Sequence, residues 1–107
     1  MDQRDLFIMI FYALDAAWDK SKNNTLGQFL SEANPFLFTD CNSADPAIFQ
    51  DFCKQTSKTI NVEDSYDVAL RYIDSLNTQE IKLAFGTISR HEWTDGVNKY
   101  LSSLHKS

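Results

Sequence analysis

The fold depends on one apolar stretch, LFIMIFYAL at residues 6–14, which Asp15 separates from Ala16, Ala17 and Trp18. A helix that is apolar on all sides has to be buried. A membrane-spanning helix needs about 20 apolar residues, so this stretch is too short to cross a bilayer. The residues before it, DQRD at 2–5, lack the basic region of a signal peptide. The sequence therefore predicts a central helix over residues 6–18 that other helices cover.

Length and composition are those of an ordinary globular domain. Of the 107 residues, 43% are hydrophobic and 23% are charged, close to the averages for soluble proteins. Three Gly, two Pro and two Cys are too few for a collagen-like, low-complexity or disulfide-stapled chain. A chain of this length is expected to form one domain, so residues 1–107 are predicted to be a single helical domain. Cys41 and Cys53 lack metal or redox spacing, and we expect free thiols and a cytoplasmic location.

The charge balance bears on the kind of partner. Fifteen acidic and ten basic residues give a formal net charge of −5. Proteins that bind nucleic acids or anionic membranes rely on clustered Lys and Arg, and this sequence has no such cluster. We therefore expect neither nucleic acid nor membrane among the partners. Electrostatic attraction favours a basic protein.

Apolar residues recur at three- and four-residue spacing along most of the chain, which is typical of amphipathic helices. Capping residues and proline mark where these helices begin. The predicted starts are Asn24 or Thr25, Asp45 with Pro46, Asn61 with Asp64, Asn77 with Glu80, and Ser89 with Glu92. The predicted fold is all-α, a single compact irregular bundle of five or six helices around a central N-terminal helix.

The same spacing predicts buried faces. In the helix after Asn61, one face is predicted to hold Tyr66, Ala69, Leu70, Ile73 and Leu76. In the last helix, Gly96 costs about 1 kcal/mol relative to Ala, and we interpret it as the site of a close contact between two helices.

One segment resembles a zinc-binding motif without matching it. The segment HEWTD at residues 91–95 has the spacing of the zinc-binding HExxH helix, but Asp95 stands where the second His belongs. Glu92 is better explained as the capping partner of Ser89. We find no nucleophile constellation or Gly-rich phosphate loop in the sequence. Neither a metal nor a cofactor is therefore predicted, and the chain is not expected to be an enzyme.

The segment from Asn34 to Asp45 lacks helical periodicity. A loop of this length is uncommon in compact domains and is often functional. Its aromatic residues either close one end of the bundle or form an exposed patch, rimmed by carboxylates, that binds a protein. The predicted partner-binding residues are Phe36, Phe38, Asp40 and Asp45 in this segment, and Glu63, Asp64 and Asp67 on a second acidic surface.

These features favour a non-enzymatic protein-binding module. Small size, acidic balance and the lack of a recognisable catalytic motif are typical of a bacterial immunity or antitoxin-type inhibitor that covers a basic effector, where opposite charge speeds association. One alternative is a structural homo-oligomer that buries its first helix or aromatic loop against a second copy. Another is a metal-dependent hydrolase that uses His91 and nearby carboxylates.

Overall fold

A computed structural model describes residues 1–33 and 46–104. Within these residues the chain forms six α-helices and no β-strand. The helices are α1 (Gln3–Ser21), α2 (Asn24–Ala33), α3 (Pro46–Gln55), α4 (Val62–Ser75), α5 (Gln79–Gly86) and α6 (Arg90–Leu104). The predicted all-α bundle is confirmed. No helix in the described part of the chain is both long enough and apolar enough to cross a membrane.

Helix α1 lies at the centre of the bundle and contacts each of the other five described helices. Its buried residues are Leu6, Phe7, Ile8, Met9, Ile10 and Leu14. Full burial of a large apolar side chain contributes roughly 1.5–3 kcal/mol, so this helix is a major source of stability. Tyr12 belongs to the same apolar stretch but is 46% exposed. The predicted central helix is therefore confirmed, with one side of it left open.

Hydrogen bonds attach the start of α1 to the connection between α3 and α4. The N–H of Ile60 donates to the carbonyl of Met1, and the Met1 amino group donates to the carbonyl of Ile60, both at 2.8 Å. The Gln3 amide Nε2 donates to the carbonyls of Cys53 and Thr56 at 3.0 Å. These contacts fix the N-terminal end of the central helix against the middle of the chain.

One aromatic cluster joins α1, α3 and α4. The ring of Phe52 lies between those of Phe7 and Tyr72, at centroid distances of 5.2 and 4.8 Å and with edge-to-face geometry. Phe49 packs edge-to-face against Phe7 on the same side. Such pairs add about 0.5–1.5 kcal/mol beyond their buried area, so they hold the short α3 in place.

A second aromatic cluster joins α4, α5 and α6 around a buried hydroxyl. Trp93 packs against Phe85 and Tyr66 at centroid distances of 5.6 and 6.2 Å. Its indole N–H donates to Ser65 Oγ at 2.9 Å, and Ser65 Oγ donates to the carbonyl of Val62 at 2.7 Å. Ser65 is completely buried, and its hydroxyl accepts the hydrogen bond of the indole N–H, which is the only polar group of the Trp93 side chain.

Two predicted helix starts need comment. The start at Asn61 is confirmed, because Asn61 is the N-cap residue of α4, but its side chain makes no capping hydrogen bond. Asn77 adopts a left-handed φ of 53°, which is typical of a residue that follows a helix rather than one that starts it. The start of α5 is therefore shifted by one residue, with Thr78 rather than Asn77 at the N-cap position and Gln79 as the first helical residue. The capping box of Ser89 and Glu92 is confirmed, since Glu92 N–H donates to Ser89 Oγ at 3.1 Å.

The predicted buried face of α4 also needs correction. Leu70 is 37% exposed, while Tyr72 is buried beside Ile73 and Ala69. Tyr72 is buried because its ring packs edge-to-face on Phe52 of α3 at a centroid distance of 4.8 Å, whereas Leu70 lies on the outer side of α4.

The close contact predicted at Gly96 lies elsewhere, at Gly27. A methyl group built on Gly96 would meet Met9 Cε at 3.6 Å, which is an ordinary van der Waals distance. A methyl group built on Gly27 would lie 2.7 Å from Trp18 Nε1, closer than real side chains approach. Gly27 is therefore the glycine that allows two helices to approach closely, because the Trp18 indole of α1 packs against α2 at this position.

Replacing Gly27 with Ala is expected to lower the free energy of unfolding by about 1 kcal/mol, because overpacking against Trp18 outweighs the gain in helix propensity. Chemical denaturation measures the change. Gly86→Ala is the control, since nothing lies within 4 Å of a methyl group at that position. Equal stabilisation by both substitutions would contradict the contact with Trp18.

Replacing Ser65 with Ala is expected to lower the free energy of unfolding by about 1–3 kcal/mol, because the buried Trp93 indole N–H loses its acceptor. Ser75→Ala is a matched control on the same helix. Ser75 is exposed, and its hydroxyl also donates to the carbonyl three residues earlier. A loss of similar size in both variants, measured by urea unfolding, would show that the indole hydrogen bond contributes nothing.

Candidate functional site

The main candidate site is a groove of about 660 Å³ between α1, α5 and α6. This volume falls within the range of about 300–1,000 Å³ that is usual for ligand-binding pockets. The α1 wall consists of Met9, Tyr12, Ala13, Ala16, Ala17, Lys20 and Ser21. The opposite wall consists of Glu80, Leu83, Ala84, Thr87 and Ile88, together with Glu92, Trp93 and Gly96. Asn23 and Leu26 complete the lining.

Helical periodicity places small side chains along the α1 wall. Ala13, Ala16 and Ala17 are separated by three and four residues, so they lie on one face of the helix. Ala13 and Ala17 are half-buried and pack against the core at the edge of the buried face, whereas Ala16 is exposed. Methyl side chains fill little space, and the groove is wide here for that reason.

Gly96 extends the groove wall on α6. A glycine inside a helix costs about 0.5–1 kcal/mol relative to alanine, and the space around Gly96 would accept a methyl group. Packing among the described residues therefore gives no reason for glycine at this position. Its absent side chain instead widens the groove.

Two large apolar side chains lie at the edges of the groove. Leu83 of α5 is 62% exposed, and Tyr12 of α1 is 46% exposed. Together with exposed Ala16 and the half-buried alanines of the lining, they give the groove a mainly apolar surface that the described part of the chain leaves partly open. Surfaces of this kind are typical of protein-binding or ligand-binding sites.

Charged groups of both signs rim the groove. Glu80 lies on α5 and Glu92 on α6, while Lys20 lies on α1. Glu92 accepts a hydrogen bond from Ser89, and within the described residues neither Glu80 nor Lys20 has an ion-pair partner. The α5–α6 side of the groove is therefore acidic, and its carboxylates are exposed to solvent.

A pair of tyrosines lies near the α1–α6 end of the groove. The rings of Tyr12 and Tyr100 are 6.5 Å apart, and the Tyr100 hydroxyl donates to Asp5 Oδ1 at 3.2 Å. Burial and the neighbouring Asp5 carboxylate raise the pKa of Tyr100 to about 12. Tyr100 thus remains a neutral hydrogen-bond donor at physiological pH, and its ring packs against that of Tyr12 at the edge of the groove.

The residues predicted to bind a partner are only partly described. Phe36, Phe38, Asp40 and Asp45 lie outside the described residues, so their roles stay predictions. Glu63 and Asp64 are exposed in the first turn of α4, where they also favour the positive end of the helix dipole. Asp67 forms an ion pair with Arg90 at 2.6 Å. Its carboxylate is therefore less available to a partner than those of Glu63 and Asp64.

Asp64 and Asp67 also line a second, polar hollow of about 410 Å³ beside the connection between α3 and α4. Arg71 lines the same hollow, so acidic and basic groups share it. The structure thus brings together two of the predicted acidic residues with a cation that the sequence analysis did not single out. The hollow and the apolar groove are built from different residues.

Of the residues weighed as reactive groups, Glu92 caps the start of α6, and His91 and Asp95 are exposed on the same helix. No group of three or more metal-ligating side chains occurs among the described residues. Cys53 is a half-buried thiol whose pKa is raised by burial, which lowers its reactivity.

Comparison with known protein families, curated proteins and solved structures finds no match for this chain.

Replacing Gly96 with Ala is expected to raise the free energy of unfolding by about 0.5–1 kcal/mol, because the helix gains propensity and the new methyl group fits beside Met9. Thermal and chemical unfolding measure the change. A destabilised variant would mean that Gly96 serves packing within the chain, and the interpretation as a widened groove wall would be wrong.

Proposed function

We propose that this chain is a non-enzymatic protein-binding module whose groove between α1, α5 and α6 receives an apolar segment of a partner protein. The observation that carries the proposal is the uncovered apolar surface, with Leu83 and Tyr12 exposed at its edges. Exposed apolar area is unfavourable in water, and a partner that covers it gains free energy in proportion to the area buried.

The partner is proposed to be basic. The formal net charge of −5 and the exposed carboxylates of Glu80 and Glu92 support this charge preference, because opposite charge accelerates association. In its most specific form the proposal is an inhibitor of the immunity or antitoxin type that covers a basic effector. Glu63 and Asp64 offer additional contacts, and the roles of Phe36, Phe38, Asp40 and Asp45 remain part of this proposal.

Site-specific photo-crosslinking in the source cells tests the proposal. A benzophenone amino acid in place of Leu83 is expected to capture a basic protein, which mass spectrometry identifies. The same amino acid in place of Leu70 is the matched control, because Leu70 is also an exposed leucine but lies on α4 and outside the groove. The purified partner is then expected to bind the wild type at least tenfold more tightly than an Ala16→Glu variant of unchanged melting temperature.

Several outcomes would contradict the proposal. Equal capture at positions 70 and 83 would indicate contact without specificity. Capture at position 83 of a second copy alone would favour the homo-oligomer. A partner that binds the Ala16→Glu variant as well as the wild type would exclude the groove as its binding site.

A further inference from the structure

We infer that the segment bound in the groove is an amphipathic helix of about three turns, with basic side chains on the flank that faces α5 and α6. This inference rests on the proposed function and specifies its partner. The length of the groove, the chemistry of its walls and the charges on its rim each support one part of it.

The length comes from the α1 wall. Met9 and Ser21 mark its two ends and are twelve residues apart. At a rise of 1.5 Å per residue, the wall is about 18 Å long, which equals about three turns of a helix. A helical segment of about twelve residues therefore matches the groove when it lies along α1.

The walls favour a helix over an extended segment. They are formed by helices, whose backbone N–H and C=O groups are largely used within the helices themselves. A strand laid in such a groove would leave its own backbone groups without partners, whereas a helix satisfies them internally. The small residues Ala13, Ala16, Ala84 and Gly96 also allow a helix axis to approach closely, toward the lower end of the usual 8–10 Å.

The rim charges determine the flank. Glu80 and Glu92 stand on the α5–α6 side, and Lys20 stands on the α1 side. Lys or Arg side chains on one flank of the bound helix would approach the two carboxylates. A second copy of this chain would bring its own net charge of −5, so like-charge repulsion disfavours self-association as the source of the helix.

A displayed library of 14-residue peptides tests the inference. Each peptide carries a fixed apolar stripe of helical spacing, or the same residues in scrambled order, and Lys, Glu, Gln and Ser vary on both flanks. Selection uses the full-length wild-type protein, with counter-selection on the Ala16→Glu variant. We expect enrichment of the helical stripe with Lys on one flank. Selected peptides should bind the Glu80→Lys/Glu92→Lys variant about five- to tenfold more weakly, while Leu70→Glu leaves binding unchanged.

The results separate the inference from the proposed function. Two results would overturn the basic helix but keep the groove as a protein-binding site. In the first, scrambled or Glu-flanked peptides are selected and still lose binding to the Ala16→Glu variant. In the second, Lys-flanked peptides bind the Glu80→Lys/Glu92→Lys variant as well as the wild type. If no selected peptide is sensitive to Ala16→Glu, both proposals fail. Native mass spectrometry that detects a lipid retained by the wild type and absent from Ala16→Glu would assign the groove to a small apolar ligand and overturn both.

Discussion

Burial of the first half of α1 is the constraint on which the positions of the other helices depend. Residues Leu6 to Ile10 are buried on every side, so a single neighbouring helix cannot cover them. Five further helices pack around α1, and two aromatic clusters, centred on Phe52 and Trp93, connect four of them: the first joins α3 and α4 to α1, and the second joins α4, α5 and α6. The short helices α3 and α5 are stabilised by this packing, since isolated helices of eight to ten residues are unstable in water.

The second half of the same helix differs in the size and exposure of its side chains. Beyond Tyr12, the groove side of α1 carries Ala13, Ala16 and Ala17, whose exposure to water is unfavourable by much less than that of Leu or Phe, while Leu14 on the core side is fully buried. The fold therefore loses little stability by leaving the groove side of α1 partly uncovered. One helix thus combines a core side, which organises the bundle, with a partly accessible side that forms a wall of the groove. Rigid elements of this kind hold a binding surface in shape before the partner arrives.

The features that the sequence predicted are those that depend on local spacing. The apolar stretch at residues 6–14 predicted the central helix, and Ser89 with Glu92 predicted a capped start, because each signal lies within one helix. The Ser65 hydroxyl was missed, since its partner Trp93 is 28 residues away. The groove was missed as well, because three helices from distant parts of the chain form it. Ala16 and Ala17 were interpreted as a continuation of the buried stretch, although the change from large to small residues along α1 was the available signal.

The position of α1 at the beginning of the bundle has a consequence for how the chain is made. Its apolar residues are made before those of the other five helices of the bundle, and α6, which helps to cover them, follows about 80 residues later, or roughly 4–16 s at a synthesis rate of 5–20 residues per second. During that interval α2 to α5 become available to pack on α1, but the part of α1 that α6 covers has no native neighbour. Until α6 is made, this apolar surface is open to contact with other chains, although the finished protein buries Leu6 to Ile10.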